Sequence, residues 1–240
     1  CKGQSDYGKP IIEPEIILKN QANFVKKYYP ILNLNEEFNS IDENSKVIDK
    51  NEFFELLLTG NYLPVKLKLK KNTYYQLYKM GTNIDESIPA TIKVLAYYAY
   101  QHFKMEGKNL PNFDFFDLDN NKYDSLSIKG KIVVLKFWFI HCQRCVEEMP
   151  YLNMVVKKYE NRNNVVFLSL AIDKEDDLKR FLTKTEFNFP VVANQKEYLV
   201  NTLKIQSYPT YLILNKRGTI VKAVGNDKDM EAVLEREILK

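Results

Sequence analysis

Residues 131–150, KIVVLKFWFIHCQRCVEEMP, place two cysteines directly after a run of apolar residues. The run KIVVLKFWF is almost continuously apolar, which is typical of a strand buried on both faces. The following segment, 145–160, has the pattern of a helix in which Pro150 should produce a kink. The C-x-x-C pair, Cys142 and Cys145, therefore lies where a buried strand gives way to a helix.

A metal site is one interpretation of this pair. A structural zinc ion takes four ligands, usually two cysteine pairs or one pair with two histidines. The chain has only two histidines. His141 adjoins Cys142 but points elsewhere if the segment is extended, and His102 falls on a predicted surface helix, to which we assign no role. The sequence therefore disfavours zinc, and we expect no metal and no other cofactor.

A disulfide is the second interpretation, and it has a structural and a redox form. A bridge across two intervening residues removes little entropy from the unfolded chain, so it stabilises little. At the start of a helix, free N–H groups and the helix dipole stabilise a thiolate, which predicts a pKa for Cys142 toward or below 7. Cys145, one turn further along, is expected to be more buried and to resolve the mixed disulfide that Cys142 forms.

The segments around the pair alternate between strand and helix patterns. Residues 111–130 predict a short hairpin with a turn at Asn120 and Asn121. Alternating elements that close with a hairpin and a helix predict a central mixed sheet with helices on both faces. The expected elements after residue 160 are strands at 164–173, 189–194, 209–215 and 219–225, and helices at 174–187, 197–205 and 227–240.

The stretch KGKIVVLKFWFIHCQRCVEEMPYLN resembles the thioredoxin-like domain of TlpA/ResA-type proteins, within the redoxin (AhpC/TSA) superfamily. PNFDFFDLDNNKYDSLSIKGK resembles the hairpin that precedes this domain in the family. The resemblance covers residues 111–240. It implies an α/β fold, with a thioredoxin-like mixed sheet flanked by helices, and a membrane-tethered thiol-disulfide oxidoreductase of the bacterial envelope whose only redox group is the Cys142–Cys145 disulfide.

The same resemblance assigns further site residues. Pro209, in SYPT, matches a cis proline that packs against the disulfide and exposes the backbone of Tyr208 to an extended substrate. Glu148 matches an acid that handles the proton of the cysteine pair. Trp138 and His141, together with Tyr208, are predicted to bind the substrate. Without the resemblance, Pro209 reads as a proline at a strand start and Glu148 as an acid that favours the helix dipole.

Three residues depart from the family pattern. Arg144 replaces a proline before the second cysteine, and its charge should favour the thiolate. His141 replaces a tryptophan, and a charged histidine would make the protein more oxidising. Lys136 stands where thioredoxin has a buried acid. Because a buried lysine is costly, we expect the Lys136 ammonium to reach outward to solvent.

The first 110 residues are less informative. Residues 1–15 look like a flexible tether, and residues 16–110 predict a mainly helical domain of unknown role. Its expected helices lie at 51–64, 73–80 and 88–107, and a short strand is predicted at 65–71.

The chain begins with Cys1, followed by the polar stretch KGQSDYGKP. This resembles a bacterial lipoprotein after cleavage of its signal peptide, in which acyl chains on the cysteine hold the protein on a membrane. A truncation that happens to leave a cysteine first is the alternative. The lipoprotein interpretation predicts lipidation of Cys1 and a location in the cell envelope, facing the periplasm or the cell surface.

The composition limits the classes of binding partner that we expect. The net charge is only +4 and is spread along the chain, so we expect no nucleic acid. No apolar run is long enough to span a membrane. We expect protein thiols and disulfides as substrates and a membrane electron donor as the source of reducing equivalents.

A reductase that keeps selected envelope cysteines reduced is the function we expect, for cytochrome maturation or for the rescue of wrongly bridged proteins. A disulfide oxidase or isomerase on the same fold is the first alternative. A peroxidase is disfavoured, because Phe139 stands where a peroxidatic site has threonine. A surface binding protein with an inactive redox module is the alternative from a different class.

Overall fold

The computed structural model describes residues 7–69 and 72–240. Its contacts divide the chain into two units, one ending at Gln101 and the other beginning at His102. The division falls within a long helix, α4 (Ser87–Met105), earlier than the predicted boundary after residue 110.

A five-stranded sheet forms the centre of the first unit. Its strands are β1 (Lys9–Pro10), β2 (Asn39–Ile41), β3 (Val47–Ile48), β4 (Tyr62–Lys68) and β5 (Tyr74–Lys79). They are ordered β1-β4-β5-β2-β3, and only β2 and β5 run parallel. The other elements are α1 (Pro14–Ile17), α2 (Gln21–Asn23), a π-helical turn (Phe24–Tyr28), a 3-10 turn (Tyr29–Ile31), α3 (Lys50–Leu58) and most of α4.

This unit is partly helical rather than mainly helical as expected. The helix predicted at 73–80 is wrong, because these residues form β5, in which Tyr75 and Leu77 are buried and their neighbours are not. Tyrosines on both faces hide the two-residue period in the sequence, while aromatic residues favour strands. The predicted tether is also too long, since β1 pairs with the edge of β4. Cys1 lies outside the described residues.

The second unit contains the thioredoxin-like fold. Its main sheet has the strand order β10-β9-β8-β11-β12, with β8, β9 and β10 parallel and β11 and β12 antiparallel to their neighbours. A separate hairpin, β6 with β7, corresponds to the predicted one. The strands are β6 (Asp114–Phe116), β7 (Lys122–Asp124), β8 (Ile132–Trp138), β9 (Val165–Ala171), β10 (Val191–Val192), β11 (Thr210–Leu214) and β12 (Ile220–Val224).

Helices cover this sheet because its central strands bury both faces. Along β8, Val133 and Leu135 belong to the core on one side, and Ile132 and Val134 to the core on the other. This alternation explains the continuous apolar run in the sequence. The helical elements are α5 (Gln143–Glu147), α6 (Met149–Tyr159), α7 (Glu175–Leu182), a π-helical turn (Tyr198–Thr202) and α8 (Asp227–Ile238).

The helix predicted at 145–160 is interrupted. Glu148 separates α5 from α6, and Pro150 occupies the first turn of α6, where its missing N–H would have no helical partner. The proline thus starts a second helix instead of bending one. Within the described residues, no helix has the length and apolar character needed to cross a membrane.

Candidate active site

The end of β8 and the start of α5 bring the two cysteines together. Cys142 and Cys145 form a disulfide, with Cα atoms 5.2 Å apart. Cys142 caps α5, and its sulfur accepts the Cys145 N–H at 3.3 Å. Since α5 is only five residues long, this local N–H group, rather than a long helix dipole, provides the polar stabilisation of the sulfur.

The two sulfurs differ in access. Cys142 is 8% exposed, while Cys145 is 0% exposed. A reagent or a substrate can therefore reach the first sulfur but not the second. This asymmetry is the arrangement that an attacking and a resolving cysteine require.

Two polar side chains beside the disulfide lie at the surface. His141 and Arg144 are both exposed. The Arg144 guanidinium lies 3.5 Å from a carboxylate oxygen of Glu148. The expectation that the Arg144 charge favours the Cys142 thiolate stays a prediction.

Tyr208 and Pro209 lie on the side of the disulfide reached by β11. The Tyr208–Pro209 peptide bond is cis, as predicted. Tyr208 packs against the cluster that contains both cysteines, and its ring meets that of Phe139 edge to face at 5.4 Å. No described residue hydrogen-bonds the buried Tyr208 hydroxyl. The half-buried Tyr208 therefore packs in the same cluster as the disulfide.

Trp138 does not fit the predicted role in substrate binding. It is 0% exposed and packs against Phe181 and Phe187, beneath both cysteines. As the last residue of β8, it faces the same side of the sheet as the preceding alternate residues, which are also buried. Trp138 therefore supports the disulfide from within the core.

Glu148 is part of a buried triad formed by Lys136, Tyr211 and Glu148. The Lys136 ammonium donates to the Tyr211 hydroxyl at 2.7 Å and lies 3.3 Å from Glu148 Oε2. The Tyr211 hydroxyl donates to the same oxygen at 2.5 Å. Lys136 and Tyr211 are direct cross-strand neighbours in β8 and β11. The buried triad thus links three elements of the site: the strand before Cys142, the strand after Pro209 and the end of the helix that contains Cys145.

The prediction that Lys136 reaches solvent is wrong, because its side chain is 0% exposed. Its burial lowers the pKa of Lys136 to about 8, while the Glu148 carboxylate opposes that shift. Burial, followed by the Glu148 charge, raises the pKa of Tyr211 above its usual range. The ammonium is therefore present near neutral pH and is balanced by the carboxylate.

The sequence contains a partial signal for the buried triad. Lys136 is a charged residue inside an apolar strand, and a buried charge requires a partner. Glu148 is an acid on the adjoining helix. Tyr211 had no such signal, because its pairing opposite Lys136 follows only from the register of β8 and β11.

His102 also differs from expectation, since it is buried and not on the surface. It is 5% exposed, and Nε2 lies 3.4 Å from Oγ1 of Thr210, the residue after Pro209. The Thr210 hydroxyl donates to the Ser207 carbonyl at 2.8 Å, which leaves its oxygen as an acceptor for the imidazole. Burial, assisted by the Lys222 charge, lowers the pKa of His102 to about 4.

This burial makes His102 a source of acid sensitivity. Above the ordinary histidine pKa, the His102 imidazole is neutral in both the folded and the unfolded chain. As the pH falls, the imidazole of the unfolded chain is protonated first, which stabilises the unfolded chain. Between pH 7 and pH 5, the wild-type unit should lose about 2 kcal/mol more stability than His102→Gln. Urea unfolding followed through the single tryptophan, Trp138, measures this difference, and an equal loss in both proteins would contradict it.

The disulfide determines what the two sulfurs can do. Cys142 and Cys145 are bonded to each other, and such a bond can exchange with the thiols of other molecules. Across residues 7–69 and 72–240, no three or more His, Cys, Asp or Glu side chains are grouped as metal ligands would be.

Comparison with known sequences agrees with this chemistry. A family model described as the AhpC/TSA family matches residues 107–223. The thiol-disulfide oxidoreductase ResA of a Bacillus cereus strain is 30% identical over 125 residues, which are 52% of this chain and 72% of the relative. ResA of Bacillus thuringiensis subsp. konkukian is 32% identical over 134 residues, 55% of this chain and 77% of the relative.

Solved structures give the same fold. The C-terminal domain of a Bacteroides thetaiotaomicron protein has a TM-score of 0.50 and 17% identity, and the match covers 56% of this chain and 96% of that domain. A Bacteroides thetaiotaomicron protein whose solution structure is known has a TM-score of 0.50 and 19% identity, over 55% of this chain and 86% of that one. The predicted thioredoxin-like α/β fold is confirmed.

Proposed function

This chain belongs to the ResA-like thiol-disulfide oxidoreductases of the AhpC/TSA family, and on that premise we propose that it reduces disulfides in other proteins. The supporting observation is the asymmetry of the disulfide, in which Cys142 retains 8% exposure and Cys145 has none. Cys142 is the attacking sulfur and Cys145 the resolving one.

The reaction proceeds in two exchanges. In the reduced protein, the Cys142 thiolate attacks one sulfur of a substrate disulfide, a mixed disulfide forms, and the other substrate sulfur leaves with the electron pair and takes a proton. Cys145 then loses its proton and attacks the Cys142 sulfur. The mixed disulfide breaks, the second substrate sulfur leaves, and the Cys142–Cys145 bond forms. The substrate gains two electrons and two protons in total.

Substrate binding is proposed along the backbone of Tyr208. The cis bond at Pro209 and the contact of the Tyr208 ring with Phe139 support this position. An extended substrate strand would pair with the backbone here and bring its disulfide over Cys142. His141 is exposed at the same surface and is proposed to contact the substrate.

The charges around the site favour the reducing direction. A strong oxidant is one whose reduced form is stabilised, usually by positive charge near the thiolate. Here the Arg144 and Lys136 charges are both engaged by Glu148, and His141 is exposed to water. Less positive charge therefore remains to stabilise the Cys142 thiolate, which makes the dithiol form a better reductant.

The reduction potential tests this direction. We expect a value nearer the about −270 mV of thioredoxin than the about −120 mV of the oxidant DsbA. Equilibration with glutathione or dithiothreitol buffers, followed by alkylation and mass measurement of the Cys142–Cys145 pair, gives this value. A potential near that of DsbA would assign the protein to the oxidases instead.

We further propose that the protein acts in the bacterial envelope, held on a membrane by lipid on Cys1 and recharged by a membrane electron donor. The supporting features are the residue type at Cys1 and the polar stretch after it. Expression with a lipoprotein signal peptide should place the protein in the membrane fraction, and Cys1→Ser should release it.

A further inference from the structure

In the proposed reaction, the proton of the Cys145 thiol needs an acceptor. Cys145 is fully buried, so the proton that it loses during resolution has no direct path to bulk water. Glu148 follows Cys145 by three positions and continues the helical hydrogen bonding, since its N–H donates to the Arg144 carbonyl at 3.2 Å. Residues three apart on a helix are neighbours on its surface. Glu148 therefore lies one turn along from Cys145, at the position where the family resemblance implies an acid that handles the proton of the cysteine pair.

The Glu148 carboxylate is buried and lies against two donors from the sheet. The Lys136 ammonium is 3.3 Å from Oε2, and the Tyr211 hydroxyl donates to the same oxygen. Hydrogen bonds of this kind suit a charged acceptor oxygen. Because a carboxylate has to be ionised to accept a proton, a proton-accepting role of Glu148 depends on these two contacts.

We infer that Lys136 is a positioning residue of the exchange reaction: its buried ammonium, with the Tyr211 hydroxyl, holds Glu148 ionised so that the carboxylate takes the proton from Cys145 during resolution. This inference rests on the proposed function. In the step, the Cys145 S–H bond breaks, the proton moves to Glu148 directly or through one water, and the Cys145 thiolate attacks the Cys142 sulfur. The substrate sulfur leaves with the electron pair.

Two other charged residues, Arg144 and Asp227, also act on the buried triad. Arg144, on α5, lies 3.5 Å from the second Glu148 oxygen but is well exposed, so water weakens its effect. The charge of Asp227, at the start of α8, also favours the ammonium form of Lys136. Lys136 is thus the buried cation in direct contact with Glu148, and it stays charged at neutral pH.

The test separates the two exchanges in one turnover. The full chain with Cys1→Ser retains Cys142 and Cys145 as its only cysteines. After reduction, an equivalent amount of an aromatic disulfide reagent releases one coloured thiolate when Cys142 attacks and a second when Cys145 resolves. Stopped-flow measurement of the second phase across acid and neutral pH gives the pH profile of resolution.

Lys136→Met should move the acid limb of the resolution profile upward by about 1 to 3 pH units, because the ammonium no longer favours the carboxylate. At a pH on that limb, resolution should slow by about tenfold per unit of displacement, while the first phase changes little. Tyr211→Phe should shift the limb in the same direction by a smaller amount, and it provides the test if Lys136→Met does not fold.

A matched control and a double variant exclude a merely structural role. Lys222→Met removes another buried lysine of the same unit, which pairs with Glu106 at 2.9 Å, and it should leave the profile in place. In a Glu148→Gln background, Lys136→Met should cause no further displacement.

The outcomes distinguish this inference from the function on which it rests. Superimposed profiles for wild type, Lys136→Met and Tyr211→Phe would overturn the role of the buried triad. A displacement that persists in the Glu148→Gln background would also overturn it. If the wild-type protein itself shows no second phase, the proposed function fails.

Discussion

Replacing Cys142 by serine should reduce the rate of disulfide reduction by about 1,000-fold or more, to the uncatalysed background. A serine hydroxyl stays protonated at neutral pH and forms no bond to the substrate sulfur that Cys145 could then displace. The measurement is the reduction of insulin by dithiothreitol in the presence of the protein. Cys1→Ser is the control, and it should retain the wild-type rate.

Cys145→Ser gives the complementary result. This variant keeps Cys142, the more accessible of the two cysteines, so it should attack the substrate once and remain joined to it as a mixed disulfide. Capture of such species from cells, followed by reduction and mass spectrometry, identifies the natural substrate proteins. Substantial insulin reduction by Cys142→Ser would instead show that the C-x-x-C pair is not the active group, as in the inactive-module alternative.

The sequence was most informative where local chemistry and pattern coincide. The run before Cys142 contains nine residues with almost no polar interruption, and β8 occupies its centre. The change from a strand pattern to a helix pattern at His141 predicts that the helix begins at Cys142. In the structure, Cys142 is the N-cap of α5. These features depend on neighbours in the chain, so they can be read without knowing the tertiary contacts.

The contacts of the buried triad join residues that are distant in the chain, so the sequence alone does not show them. Lys136 and Tyr211 become neighbours only through the pairing of β8 with β11. A lysine has a long stem that often reaches water, so the charge of Lys136 and the acid at Glu148 are only a partial signal, and nothing near Lys136 in the sequence indicates the Tyr211 hydroxyl. The same reason explains His102, whose burial depends on the packing of α4 residues near Thr210.

The first unit shows a different limit of sequence analysis. Residues 73–80 contain three tyrosines, which present an apolar ring and a polar hydroxyl and therefore fit either face of a strand. Their pattern carries no clear period of 2 or 3.6. The strand is decided by pairing with β4 on one side and β2 on the other, which the sequence does not display.

Trp138→Ala should destabilise the second unit by about 3 to 5 kcal/mol, the usual cost of removing a large buried aromatic side chain. The indole fills the space between the two cysteines and the rings of Phe181 and Phe187. Since Trp138 is the only tryptophan, the free energy of unfolding has to be followed by far-ultraviolet circular dichroism in urea. Phe116→Ala is the control, because Phe116 is 52% exposed and its loss should cost within about 0.5 kcal/mol.

Trp138→Phe separates packing from hydrogen bonding at the same position. The indole N–H has no hydrogen-bond partner among residues 7–69 and 72–240, so phenylalanine removes volume but breaks no such bond. We expect a cost of about 1 to 2 kcal/mol, well below that of alanine. A cost as large as that of alanine would show that the N–H has a partner, such as an ordered water. In reduced Trp138→Ala, the lost packing should also expose Cys145 to alkylation, whereas Trp138→Phe should keep it protected, because the buried state of the resolving sulfur depends on the ring beneath it.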